Sequence, residues 1–114
     1  MAVTREGALY SWGNNQSGQL GLGHKIQQEL PTRVEAIPSE VIEISGGVYH
    51  SMALTRDGSL YCWGHNGRGQ LGLANSSYVL VPTKIEGISS GIVHVRCGFQ
   101  HSVAMTEENV YWWG

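Results

Sequence analysis

The stretch Trp12-Gly13-Asn14-Asn15-Gln16-Ser17-Gly18-Gln19-Leu20-Gly21-Leu22 returns, fifty-one residues later, as Trp63-Gly64-His65-Asn66-Gly67-Arg68-Gly69-Gln70-Leu71-Gly72-Leu73. Other anchors keep the same interval. Pro31-Thr32 pairs with Pro82-Thr83, His50-Ser51 with His101-Ser102, and Thr4 with Thr55 and Thr106. A third Trp-Gly, Trp113-Gly114, follows the second by fifty residues, because Glu107-Glu108-Asn109 is one residue shorter than Arg56-Asp57-Gly58-Ser59. Asn109 is expected to take the left-handed conformation that a tight turn needs. Many separate anchors sharing one interval mark an internal repeat. The units read as residues 1–13 (partial), 14–64 and 65–114, all within one partial domain over 1–114.

Each period reads as four short strands. His50 to Thr55 alternates Met52 and Leu54 with the smaller Ser51 and Ala53, Asp57-Gly58 marks a hairpin turn, and Leu60 to Trp63 returns. Pro31 to Ala36 is an outer strand, with Pro31 at its start. Val41 to Ile44 is a further strand that places Ile42 and Ile44 on one face. No segment carries a helical period. Four strands per fifty residues describe a propeller blade, and sixteen glycines spread along 114 residues fit many tight turns. Kelch repeats share the period but carry a double glycine per repeat, and Gly46-Gly47 becomes Cys97-Gly98 in the next copy. The expected fold is all-β: two four-stranded antiparallel blades of a β-propeller in an open or partial ring.

Gly47-Val48-Tyr49-His50-Ser51-Met52-Ala53-Leu54-Thr55, with the twice-present Trp-Gly-x-Asn-x-x-Gly-Gln-Leu-Gly, resembles the regulator of chromosome condensation family over essentially the whole chain. The resemblance implies a propeller of about seven blades in a full-length member. It implies a protein-interaction scaffold, or a guanine-nucleotide exchange factor for a small GTPase, as the founding member is. Relatives also serve as substrate-binding parts of ubiquitin ligases and as kinase-linked regulators. Fold does not fix function.

The repeated residues read as structural. Trp12, Trp63 and Trp113 are expected to fill equivalent slots between blades. Gly13, Gly64 and Gly114, with Gly18, Gly69, Gly21 and Gly72, let the chain turn and let backbones approach. His50 and His101 read as imidazoles bonded to neighbouring backbone, each held apart from the other. His94, Cys97 and His101 suggest a zinc site only superficially, since His94 and Cys97 face opposite sides of a strand. Gly67 to Gly72 matches a dinucleotide fingerprint, but Leu73 to Val79 opens no helix to hold a pyrophosphate. Asp57 is the only Asp and lies in a turn, so no nucleophile, base and orienter assemble. The reading assigns no catalytic, cofactor or metal residues and no enzyme activity.

The loops diverge where the scaffold repeats. Asn14 to Ser17 and His65 to Arg68 differ in charge, and Gly23 to Glu29 differs from Ala74 to Leu80 at almost every residue. Candidate partner contacts are Asn15, Ser17, His65, Arg68, Lys25 and Tyr78. The expected partners are other proteins, a small GTPase among them. Net charge is −2 and the seven basic residues are scattered, which argues against nucleic acid. No run approaches a membrane span and no secretory signal opens the chain. Cys62 and Cys97 give no disulfide framework, consistent with a cytoplasmic or nuclear location. The sequons at Asn15 and Asn75 are then chance matches. Open blades leave apolar flanks, so self-association or further blades are expected to cover them.

Overall fold

The computed structural model describes residues 1–73, 77–86 and 91–114. Ten strands run through them: β1 (Ala2–Val3), β2 (Leu9–Gly13), β3 (Gln28–Val34), β4 (Val41–Gly46), β5 (His50–Thr55), β6 (Leu60–His65), β7 (Tyr78–Lys84), β8 (His94–Cys97), β9 (Ser102–Met105) and β10 (Val110–Trp113). All pairs are antiparallel. They divide into a first sheet β1-β2-β3, a complete blade β4-β5-β6-β7, and a third sheet ordered β10-β9-β8. The chain is thus an all-β stretch of a propeller, one full blade flanked by two part-blades.

The hairpin between β5 and β6 shows how local sequence sets the path. Gly58 takes a positive φ of 84°. Asp57 accepts hydrogen bonds from the Thr55 hydroxyl and from Ser59 N–H at 3.2 Å. Those bonds, the Thr55 hydroxyl first, hold the Asp57 carboxyl below its ordinary value. The shorter turn between β9 and β10 closes differently. No residue other than glycine has positive φ among the described residues, so Asn109 is not left-handed. The Thr106 hydroxyl instead accepts the N–H groups of Glu108 and Asn109 at 3.3 and 3.0 Å.

Two expectations shift by a bulge. The outer strand β3 begins at Gln28 rather than Pro31, and Pro31 falls in the stretch where its register against β2 slips between Ser11 and Gly13. Pro82 occupies the matching slip opposite β6. A missing donor costs little there, because the ladder is already interrupted. In β4 the register slips between Val41 and Glu43, so the extra residue Ile42 turns outward and is exposed. Val41 and Ile44 reach the same apolar cluster instead of Ile42 and Ile44.

The core lies between sheets. Leu9, Val34, Val41, Ala53, Tyr61 and Trp63 pack where the first sheet meets the middle blade. Met52, Leu54, Leu60, Cys62, Leu71 and Val95 are part of the cluster where the blade meets the third sheet. Every side chain of β5 is buried, because alternate residues serve opposite neighbours. Fully burying each large apolar side chain contributes about 1.5–3 kcal/mol. Along the inner edge, β8 lies against β4 and β5. Glu43 of β4 stitches that contact. Its carboxylate accepts Val95 N–H at 2.6 Å, His94 Nδ1 at 3.0 Å and Arg96 Nη1 at 3.3 Å. Burial opposes ionisation of Glu43, but these donors outweigh it and hold the carboxyl below its ordinary range.

Candidate functional site

The Trp-Gly-x-Asn-x-x-Gly-Gln-Leu-Gly segments form turns that bridge one sheet to the next. In the first, Asn15 is buried. Its amide donates to the carbonyls of His24 at 2.7 Å and Ile26 at 3.0 Å, and its oxygen accepts Leu20 N–H at 3.0 Å. Asn66 does the same work in the second, binding Leu73 O at 3.1 Å and Leu71 N–H at 2.9 Å. Gln19 accepts Ser17 N–H and Gln70 accepts Arg68 N–H through their side-chain oxygens. Gly18 and Gly69 turn each loop with positive φ. Residues 67 to 71 are turn rather than helix, so the glycine pattern there holds no phosphate-binding helix end.

So fixed, the first turn presents the Gln19 main-chain carbonyl to the middle blade. It accepts Ser51 Oγ at 2.7 Å and Trp63 Nε1 at 2.8 Å. Trp63 is wholly buried over Gly21, where a Cβ would sit 2.8 Å from Nε1. Gly64, at φ 110°, lies so close to Tyr49 that a Cβ would come within 2.5 Å of its carbonyl. In the second turn Gln70 O accepts Ser102 Oγ at 2.5 Å, and Gly72 lies beneath Trp113. Gly114 approaches Gln100 O in the manner of Gly64. Trp12 does not occupy such a slot among the described residues: it is 40% exposed, and a Cβ on Gly13 would meet none of them within 4 Å.

His50 is fully buried and its Nε2 lies 2.9 Å from Ser102 Oγ, a side chain of the next sheet. The Ser102 hydroxyl spends its one proton on Gln70 O, so His50 Nε2 is the donor, and Nδ1 has no hydrogen-bond partner among the described residues. Burial pulls the His50 imidazole down to about 4, helped by the charges of His101 and His65 and opposed by the backbone at His101. The two histidines are therefore neighbours across one blade interface, not residues kept apart. His101 itself is exposed.

Of the loop residues singled out in the sequence, the fold brings Lys25, Tyr78 and His65 together. Lys25 Nζ stands 3.4 Å above the Tyr78 ring, and Tyr78 meets His65 edge-on at 5.4 Å. His65 Nδ1 accepts from Gln70 Nε2 at 3.0 Å, which fixes the ring against its own turn. Arg68 is exposed in the same turn. Asn15 and Ser17 are turned inward and buried, so their polar groups serve the loop instead of its surroundings. Ala74 to Ser76, with the second sequon, lie outside the described residues. Two aromatics escaped the sequence reading. Tyr49 packs on His65 at 6.1 Å and Phe99 meets Tyr49 edge-on at 5.5 Å. Their signal was the pair of variable positions before each repeated His-Ser, filled by Val48-Tyr49 and Phe99-Gln100. His94 is held by Glu43, and Cys97 Sγ donates to Ser45 O at 3.2 Å, so the pair does not converge on a common centre.

The family pattern of the regulator of chromosome condensation (RCC1) repeat matches residues 6–54 and again 57–105. The chain belongs to the RCC1 repeat family. It is 41% identical over 117 aligned residues to the ultraviolet-B receptor UVR8 of Arabidopsis thaliana, a match covering 100% of this chain and 27% of the receptor. The crystal structure of human WBSCR16 superposes with a TM-score of 0.89 at 29% identity, covering 98% of this chain and 29% of that one. Prp20p of Saccharomyces cerevisiae, whose structure is described with its binding to Gsp1p and histones, gives 0.84 at 28%, covering 99% and 30%. The chain thus spans about a quarter of the length of these RCC1-repeat relatives. No helix among the described residues is long and apolar enough to cross a membrane.

Proposed function

We propose that this RCC1-repeat chain is a protein–protein interaction scaffold that presents the loop ends of its stacked sheets to a partner protein. The observation that carries the reading is the run of partly exposed rings Phe99, Tyr49, His65 and Tyr78, drawn from loops and strand ends of two adjoining sheets. Exposed aromatics held on a rigid frame are what interfaces enrich. A photo-crosslinking residue placed at Phe99 is expected to capture protein partners, while one placed at Glu107, at the opposite end of the strands, is not. Capture at Glu107 alone, or at neither, overturns the reading.

An exchange-factor role for a small GTPase is the second reading, supported by the similarity to Prp20p and its described binding to Gsp1p. Nucleotide release from a panel of small GTPases above the intrinsic rate would favour it over a scaffold. A place within a ubiquitin ligase or a kinase-linked regulator is the scaffold reading with other domains attached. The free thiols of Cys62 and Cys97 fit a cytoplasmic or nuclear setting. Trp12 and Trp112, 40% and 79% exposed, lie on the outward flanks of the first and third sheets. We propose that further blades or a second copy cover them; sedimentation as a stable monomer with both flanks open would contradict this.

A further inference from the structure

The two ends of the strands differ in charge. The hairpin and crossover end carries Glu6, Glu35, Glu40 and Asp57, then Glu86, Glu107 and Glu108, set against Arg5, Arg33, Arg56 and Lys84. Glu43 is occupied by β8. The loop end carries Lys25 and Arg68, and its nearest carboxylate in sequence is Glu29, second residue of the outer strand β3. The ring stripe lies on this basic end. Its members are accessible: Tyr49 is 37% exposed, Tyr78 42% and Phe99 59%, with Val48 beside them at 50%.

Resting on the scaffold reading above, we propose that the stripe docks an extended acidic segment of a partner protein, with carboxylates interspersed among apolar side chains. Three successive ring contacts lead from Phe99 through Tyr49 and His65 to Tyr78. A strand rising ~3.3 Å per residue would cover that path with roughly five residues. The apolar side chains of the segment lie against the ring faces and edges. Its carboxylates meet the Lys25 ammonium at the Tyr78 end and the exposed Arg68 guanidinium of the turn that follows His65. Each ring leans on the next, so binding requires little reordering of the protein. Two cations are too few to track a phosphate backbone, which favours a peptide over a single-stranded nucleic acid.

The test uses the intact chain and three fluorescein-labelled probes in anisotropy titrations: an eight-residue peptide alternating Glu and Leu, the same peptide with Lys for Glu, and an eight-nucleotide single-stranded DNA. The acidic peptide is expected to bind at least tenfold tighter than either other probe, and to weaken as salt rises. Lys25→Glu with Arg68→Glu is expected to reduce its affinity tenfold or more while leaving the melting temperature in place. Tyr49→Ala and Phe99→Ala are expected to do the same without altering the salt dependence. Equal binding of the acidic and basic peptides, tighter binding of the DNA, or indifference to all four substitutions overturns the proposal. If Phe99 cross-links a partner that the acidic peptide does not displace, the acidic-segment proposal fails and the scaffold reading stands. If no partner cross-links at Phe99, the scaffold reading fails on its own evidence.

Discussion

Trp63 and Trp113 occupy the same position in successive repeats, over the same kind of glycine, yet they are held differently. The Trp63 indole is wholly enclosed and donates to the Gln19 carbonyl, which also accepts Ser51. The Trp113 indole is half-buried, and its Nε1 has no partner among the described residues although it is shielded from solvent. Among the described residues β6, which bears Trp63, pairs with β5 and β7, and β10 pairs with β9. In the second junction the work passes to Ser102, which donates to Gln70 O and receives His50. One sequence pattern therefore yields two unequal joints, the first resting on an indole and the second on a hydroxyl relay.

Truncating the indoles should separate the joints most. Trp63→Ala is expected to cost about 4 kcal/mol in denaturant unfolding and Trp113→Ala about half of that, because only the first leaves a fully enclosed cavity. Equal losses would show that the two seats are equivalent in solution. Next comes the clearance beneath each ring. Gly21→Ala should cost about 3 kcal/mol and Gly72→Ala about 2 kcal/mol, since each has positive φ and the first approach is tighter at 2.8 Å than the second at 3.0 Å.

The order reverses for the hydroxyls. Ser51→Ala leaves the Gln19 carbonyl still bonded to Trp63, whereas Ser102→Ala removes both the donor to Gln70 and the acceptor of His50. Losses of about 1 and 2 kcal/mol are expected in that order. The smallest effect is a slope. His50 titrates at about 4 when folded against an ordinary 6.5. Between those values the unfolded chain takes up a proton that the folded one refuses, so stability falls as pH drops from 6.5 toward 4. His50→Asn should flatten that slope in thermal melts; an unchanged slope would place the titration elsewhere.

The repeat made the fold legible, because Trp, Gly and His-Ser at one interval mean one blade position and nothing else in a short chain supplies that. What stayed hidden depended on single inserted residues. The slip at Ile42 reverses which side chains face inward, and strict alternation cannot reveal it. The loop residues were half legible. Lys25, His65 and Tyr78 differ between copies and do meet, but Asn15 differs from its surroundings only by being the repeat's own loop staple, as Asn66 is. Tyr49 and Phe99 were overlooked because they stand beside the most constant residues of the motif, where attention to repetition discounts what varies. His50 and His101 looked remote since their separation in sequence equals a whole period, and stacking makes such residues adjacent.

The carbonyl that joins the first sheet to the middle blade belongs to the peptide backbone, so no replacement of the Gln19 side chain can delete it. Its position is written in the count of residues between Gly13 and Gly21. One residue more or less in that span would move the acceptor by up to ~3.8 Å, beyond the reach of both donors. Variation in this loop is consequently free to change letters and barred from changing number, which is how the two copies stand: different at residues 14, 16 and 17, alike at Asn15, and equal in length.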